Sequence, residues 1–585
     1  MIHFLVDVTD PSSHVFAVEL TLDGAVAEQR LSLPAWIPGS YLLREFARHL
    51  FALSATQGGR AVPLRQIDKA TWIADCRGGE PLVVRYRVYA FDTSVRAAFL
   101  DADRGFFNGT SLCLRVDGRE DDAHRLTLAG LPAAWDVAIA LDAASASTAG
   151  PHAFEAASYH ELIDHPVELG RFWRGRFEAG GVPHELVVAG AWPDFDGARL
   201  LADTQRICET EIAFWHGRSG RPPFARYLFL LNAVDDGRGG LEHASSTALI
   251  ASRRDLPRRG GPKAAAEVGE GYVGVLGLIA HEYFHAWSVK RLRPQDFARL
   301  DYTRENYTEL LWFFEGFTSY YDDLLLMRSG LIGPPQYLAL LAKTATAVLA
   351  SPGRRVQSVA AASFDAWVKY YRADENTPNA TISYYAKGSL VALALDLRLR
   401  AEGRGNLDEV MRRLWNESGG GPVDEAAIAA ALEAVGGRSY AAELAAWVHG
   451  TDELPLEELL ERVGVAWQWQ PATLAQRLGL RVAESALTGV KVTHVLAGGA
   501  AQRIGLAAGD ELIGVDGWRL RRLEDALRCL GDGEAELLVG RDQRLVRLAL
   551  EPGLLAPSDR GAVILQPAES PDAASRVLFE AWTVG

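Results

Sequence analysis

The segment Ile279-Ala280-His281-Glu282-Tyr283-Phe284-His285-Ala286-Trp287 places two histidines four residues apart, with a glutamate directly after the first, inside an apolar run. On a helix such residues share a face, so both imidazoles can hold one Zn²⁺. Glu282 lies beside them, where a carboxylate can take a proton from water at the metal. A third ligand is expected from Leu310-Leu311-Trp312-Phe313-Phe314-Glu315-Gly316-Phe317-Thr318-Ser319-Tyr320-Tyr321. This stretch reads as an apolar helix that stops near Ser329-Gly330. Glu315 is an acid in the middle of that apolar face, and a buried carboxylate needs a cation or a donor. His281, His285 and Glu315 together make a three-ligand zinc site, one ion per chain, with the fourth position left for water.

Two further segments can address a substrate. Tyr227-Leu228-Phe229-Leu230-Leu231-Asn232-Ala233-Val234 reads as a buried strand that leads through 235–238 into Gly239-Gly240-Leu241-Glu242-His243. Gly239 and Gly240 let backbone approach a ligand closely, and Glu242 can then pair with an α-ammonium group. His243 suits a structural hydrogen bond better than a metal contact. Ile382-Ser383-Tyr384-Tyr385-Ala386-Lys387-Gly388 opens another helix. A tyrosine hydroxyl there can donate to the oxyanion of a tetrahedral intermediate. Spacing alone does not choose between Tyr384 and Tyr385.

With these pieces goes a wider pattern: 36–48 with its Trp-Ile-Pro-Gly-Ser-Tyr run, Gly105-Phe106-Phe107-Asn108-Gly109-Thr110, and Val289-Lys290-Arg291-Leu292-Arg293-Pro294 after the second histidine. Taken together they resemble the glycyl aminopeptidase family, the PDZ-bearing zinc metallopeptidases of the gluzincin group, over nearly the whole chain. The resemblance implies that Glu242 binds the substrate amine. It also implies that Tyr385, in register with Lys387-Gly388, is the oxyanion donor, and that small N-terminal residues such as glycine or alanine are preferred. His285 and Glu315 are thirty positions apart, a longer gap than in thermolysin-like relatives. The residues 301–308 between them are expected to form a loop near the cleft.

The elements that must hold these residues give a multidomain α+β chain. Its 585 residues allow three to four domains, and 48% hydrophobic with 23% charged residues is a globular composition. Short alternating runs, such as 15–22 and 82–89, predict an N-terminal antiparallel β domain over 1–168. A thermolysin-like zinc catalytic domain follows over 169–330, and its strand 227–234 is a candidate edge for pairing with substrate backbone. Residues 331–471 give a helical extension and linker. Residues 472–553 resemble a PDZ domain, most clearly in 498–517, where a short helix precedes Gly509-Asp510, an apolar strand and the Asp516-Gly517 turn. Residues 554–585 form a C-terminal tail. Arg477-Leu478-Gly479-Leu480 is the candidate loop for a peptide C-terminus, unless the groove is closed or filled by the tail after Pro552.

The net charge of −15 argues against a nucleic-acid partner. Cys76, Cys113, Cys208 and Cys529 lack metal-like spacing and suit reduced, buried thiols. No apolar run is long enough for a membrane span, and the N-terminus does not read as a signal peptide, so a cytoplasmic enzyme is expected, or a periplasmic one if a leader precedes the given sequence. The expected reaction is zinc-dependent removal of the N-terminal residue from peptides with a free amine. The alternatives are a zinc endopeptidase with the same metal chemistry and a PDZ-based binding protein with weak activity.

Overall fold

The structure, a computed structural model, describes residues 1–144, 152–261, 269–530, 533–551, 553 and 558–584. The chain divides into two compact units. One comprises Met1–Asn306, Ser329–Ile332 and Trp415–Val423; the other comprises Tyr307–Arg328, Gly333–Leu414 and Asp424–Gly585.

The first unit opens with strands that bury every second residue, as in Val15–Leu22. An eight-stranded sheet is built around Ile2–Asp7, which pairs antiparallel with Val15–Leu22 and parallel with His124–Ala129. Phe4, Phe16, Leu20, Phe106 and Phe107 fill the core beneath it. A five-stranded sheet follows in the order Phe172–Ala179, Val182–Ala189, Tyr227–Val234, Ser246–Ser252, Arg238–Glu242. Tyr227–Val234 has a parallel neighbour on each side. Its near-continuous apolar run reflects burial on both faces. It is therefore a central strand rather than the edge expected for substrate pairing. The edges are Phe172–Ala179 and Arg238–Glu242, and among the described residues the latter pairs only with Ser246–Ser252. Glu270–Phe284, the helix of the two histidines, packs on these last two strands and on the helix Gly197–His216.

In the second unit the helix Leu311–Arg328 runs along the helix Tyr384–Ala401. They cross where Gly316 meets Gly388. A Cβ on Gly316 would lie 2.6 Å from the Gly388 Cα, and one on Gly388 would lie 2.6 Å from the Trp312 carbonyl. Only the absence of side chains lets the backbones come this close.

The PDZ domain has its own apolar core, including Leu478, Val492, Leu512 and Val539. Its strand Leu480–Ser485 lies at the edge of the sheet. The Asp516-Gly517 turn has positive φ at both residues, 47° and 81°, as a tight hairpin connection requires. This domain is inserted, not appended. The strand before it, Val465–Trp469, pairs antiparallel with the strand after it, Val563–Pro567. The final segment does not behave as a tail in the groove. Its helix Ala573–Val584 carries Trp582, fully buried, whose indole N–H donates to the Tyr320 hydroxyl at 2.9 Å. Arg328 and Arg400 donate to the carbonyls of Trp582 and Ala581. Residues 554–557 and Gly585 of the expected tail lie outside the described residues. Among the described residues no helix is long and apolar enough to cross a membrane.

Candidate metal centre and substrate cleft

His281 lies in the last turn of its helix and His285 caps it. The His285 Nδ1–H donates to the Ser288 carbonyl at 2.5 Å, which leaves Nε2 as the lone-pair nitrogen. That Nε2 lies 3.1 Å from the Nε2 of His281. Two such nitrogens so close must share a proton or a cation. The spacing suits two ligands of one tetrahedral ion with bonds of about 2.0–2.1 Å. His281, His285 and Glu315 all offer ligand atoms within 4.8 Å of one another. Nitrogen, nitrogen and carboxylate oxygen form a donor set that fits a divalent metal ion.

Glu282 and the edge strand fit each other. A Cβ at Gly240 would collide with the Glu282 carboxylate, so glycine there makes room for the acid. Arg96 donates to the Gly240 carbonyl at 3.0 Å and fixes the strand from the other side. Gly239 faces Arg96 and meets no side chain closely. Glu242 closes the strand with its side chain almost wholly buried, at 4% exposure. Its Oε1 is buried without a hydrogen-bond partner among the described residues. The carboxylate presses on Gly39, where any Cβ would clash with it and where φ is +89°. Beside it is a cavity of about 50 Å³ walled by Trp36, Tyr41, Val289, Phe297 and Leu300, with Lys290 and Arg293 also lining it.

His243 makes the structural hydrogen bond expected of it. Its Nδ1 bonds Asp164 at 3.1 Å, and Asp164 also pairs with Lys290 at 2.7 Å and accepts from the Ala244 amide. Burial would raise the Asp164 carboxyl, but Lys290 and His243 hold it well below the usual carboxylate range. Arg291 donates to the carbonyls of Ala244, Ala286 and Pro223. Together Lys290 and Arg291 tie the turn after the metal helix to the end of the Glu242 strand. Asp164 sits about 80 residues before His243 with no motif around it, so sequence spacing could not find it.

The loop at 301–308 also has a defined attachment. The Trp36 indole donates to the Asp301 carbonyl at 2.8 Å, and the Ala35 amide donates to the Tyr302 carbonyl. Asp301 holds its own turn by accepting from Thr303 and Arg304. The longer gap between the histidines and Glu315 thus grips the 35–41 segment whose Gly39 touches Glu242.

Glu315 is buried on its helix. Thr318, three residues after it, donates to the Phe314 carbonyl of its own helix at 2.6 Å. Tyr384 and Tyr385 occupy the first turn of the partner helix. Tyr384 is fully buried. The Tyr385 hydroxyl lies 3.3 Å from that of Tyr371. Burial, and next the Glu315 carboxylate, push the Tyr385 phenol well above its ordinary value. The charge of Glu315 thus reaches the Tyr385 hydroxyl. Tyr371 went unnoticed in the sequence because an aromatic pair gives no local sign of function.

The chain matches the model of the M61 peptidase N-terminal domain over residues 3–171, that of the M61 glycyl aminopeptidases over 274–391, and that of PDZ domains over 468–527. It is similar along its whole length to a crystal structure described as the aminopeptidase N family protein from Idiomarina loihiensis. That likeness has 36% identity, covers 100% of both chains and has a TM-score of 0.91. The chain belongs to the M61 glycyl aminopeptidase family. A more distant solved structure is an M1 zinc metallopeptidase from Deinococcus radiodurans bound to a Tyr-Ser-Ala substrate. It shows 15% identity and a TM-score of 0.48, over 78% of this chain and 94% of that one. No curated protein matches the chain. As an M61 member the protein is a metallopeptidase of the aminopeptidase kind, with a PDZ domain.

Proposed function

We propose that this M61 enzyme is a zinc aminopeptidase that removes small N-terminal residues, glycine or alanine, from peptides with a free amine. The observation that carries the reading is Glu242, a buried carboxylate with one oxygen lacking a partner, at the end of an edge strand whose Gly240 adjoins the Glu282 acid. A buried anion calls for a cation, and the substrate α-ammonium supplies one. The adjoining cavity of about 50 Å³ supports a small side chain at the first residue. His281, His285 and Glu315 would hold the ion, and their donor set suits zinc. A bound zinc ion would acidify water and polarise the scissile carbonyl. In this reading Glu282 accepts the proton of the attacking water and delivers it to the leaving amine. Tyr385 stays protonated at neutral pH and donates to the oxyanion. Gly239 and Gly240 keep the edge strand open to substrate backbone. The enzyme is expected to act in the cytoplasm, and the PDZ domain to take a peptide C-terminus along its edge strand.

The test compares one peptide with and without an N-acetyl group. Wild type should cleave only the free-amine form. Glu242→Ala should lose about a hundredfold in kcat/KM on that form and keep its metal. Equal cleavage of both peptides by wild type would overturn the aminopeptidase reading in favour of an endopeptidase.

A further inference from the structure

The second unit leaves an apolar strip in water close to Glu315. Tyr307 is 45% exposed, Phe364 44%, Val368 56% and Tyr370 37%. The Tyr307 ring stacks on Phe364 with centroids 4.8 Å apart, and Trp367 lies buried 6.5 Å from Tyr307. At the other end the Tyr370 ring stacks on Tyr385 at 5.3 Å. The strip is anchored to the Glu315 helix, since the Ser363 hydroxyl accepts the Trp312 amide at 2.9 Å, one helical turn before Glu315. Burial, offset by a hydrogen bond from Ser383 and reinforced by the Glu315 charge, raises the pKa of Tyr370.

Single exposed apolar residues need no explanation, but a contiguous group of them marks a binding surface. A peptide whose scissile carbonyl meets Tyr385 lies against that tyrosine, and Tyr370 at the end of this strip stacks on it. We propose that Tyr307, Phe364, Val368 and Tyr370 form a shelf that binds a large apolar side chain immediately downstream of the scissile bond. The enzyme then selects for a small first residue followed by a bulky apolar second one. This rests on the aminopeptidase reading above and adds a specificity to it.

The experiment measures kcat/KM for Ala-Phe-Gly and Ala-Gly-Gly, with N-acetyl-Ala-Phe-Gly alongside. Wild type should favour Ala-Phe-Gly by about tenfold or more, the scale of one apolar side chain in a pocket. Phe364→Ser and Val368→Asp, both at exposed positions, should each bring that ratio toward one. Phe51→Ser, an exposed aromatic on the β domain, is the control that leaves the ratio as it is. A wild-type ratio near one, or a ratio unmoved by the shelf variants, overturns the shelf while the acetyl block stays in force. Cleavage of the acetylated peptide overturns the aminopeptidase reading itself. A concentration-dependent dimer in sedimentation that both shelf variants abolish would assign the strip to a second copy of the chain and also overturn the proposal.

Discussion

The histidines and Glu242 are held in one way, and Glu315 and Tyr385 in another. In the first region a sheet does the positioning. The edge strand Arg238–Glu242 meets the metal helix through Gly240, and Arg96, Asp164, Lys290 and Arg291 clamp its flanks with hydrogen bonds and an ion pair. In the second region two helices touch at Gly316 and Gly388, and their close approach sets Glu315 against Tyr385. A clamp of polar bonds tolerates loss of one member better than a glycine crossing tolerates one added methyl. The first region gains precision from many small contributions, the second from a single steric condition.

Swapping one acid in each region gives the largest expected effects. Glu282→Gln should cut kcat by about a thousandfold while metal content after dialysis stays at wild type, because only a proton acceptor is gone. Glu315→Ala should lose metal along with activity. Near-normal turnover by the first variant, or full metal in the second, would break the division of roles. Within the helix-paired region, Tyr385→Phe should lower kcat about a hundredfold with KM little changed, and Tyr384→Phe should cost far less. The opposite ranking would move the oxyanion donor one residue back.

The smallest expected effect belongs to the sheet-backed region and is read in stability. His184 is buried behind the metal helix, bonded to the Tyr283 hydroxyl at 2.8 Å and to the Val182 carbonyl at 2.9 Å. Burial pushes its pKa down to about 4. The unfolded chain takes up this proton near pH 6.5, before the folded one does. Stability is therefore complete above pH 6.5 and falls as pH drops toward 4, by roughly 3 kcal/mol for this group at most. Denaturant midpoints at pH 7 and pH 4.5 should show a smaller acid loss for His184→Gln than for wild type. An equal loss would place the acid sensitivity at another group.

Residue types were most legible where chemistry forces them close together in the chain. His281, Glu282 and His285 share two helical turns, so spacing alone exposed them. Glu315 stood out because an acid in an apolar helix is costly without a partner. The strand 227–234 was found with its correct bounds but given the wrong place in the sheet. Edge or centre depends on which strands pair beside it, and that is long-range information. Asp164, Tyr371 and the pairing of Lys290 with Asp164 stayed hidden for the same reason: each acts through partners distant in sequence or without a motif. The PDZ fold was visible in its turn and helix signals. Its insertion was not, because the return strand Val563–Pro567 is short and pairs across almost a hundred residues.

The buried indole of Trp582 bears on how this enzyme is made. Its partner Tyr320 lies on the Glu315 helix, 262 residues earlier in the chain. The residues of the whole PDZ domain lie between the two partners, so the hydroxyl meets the indole only after they have been synthesised. A contact across so long a stretch of chain is slow to close, and the Glu315 helix therefore gains this partner late in folding.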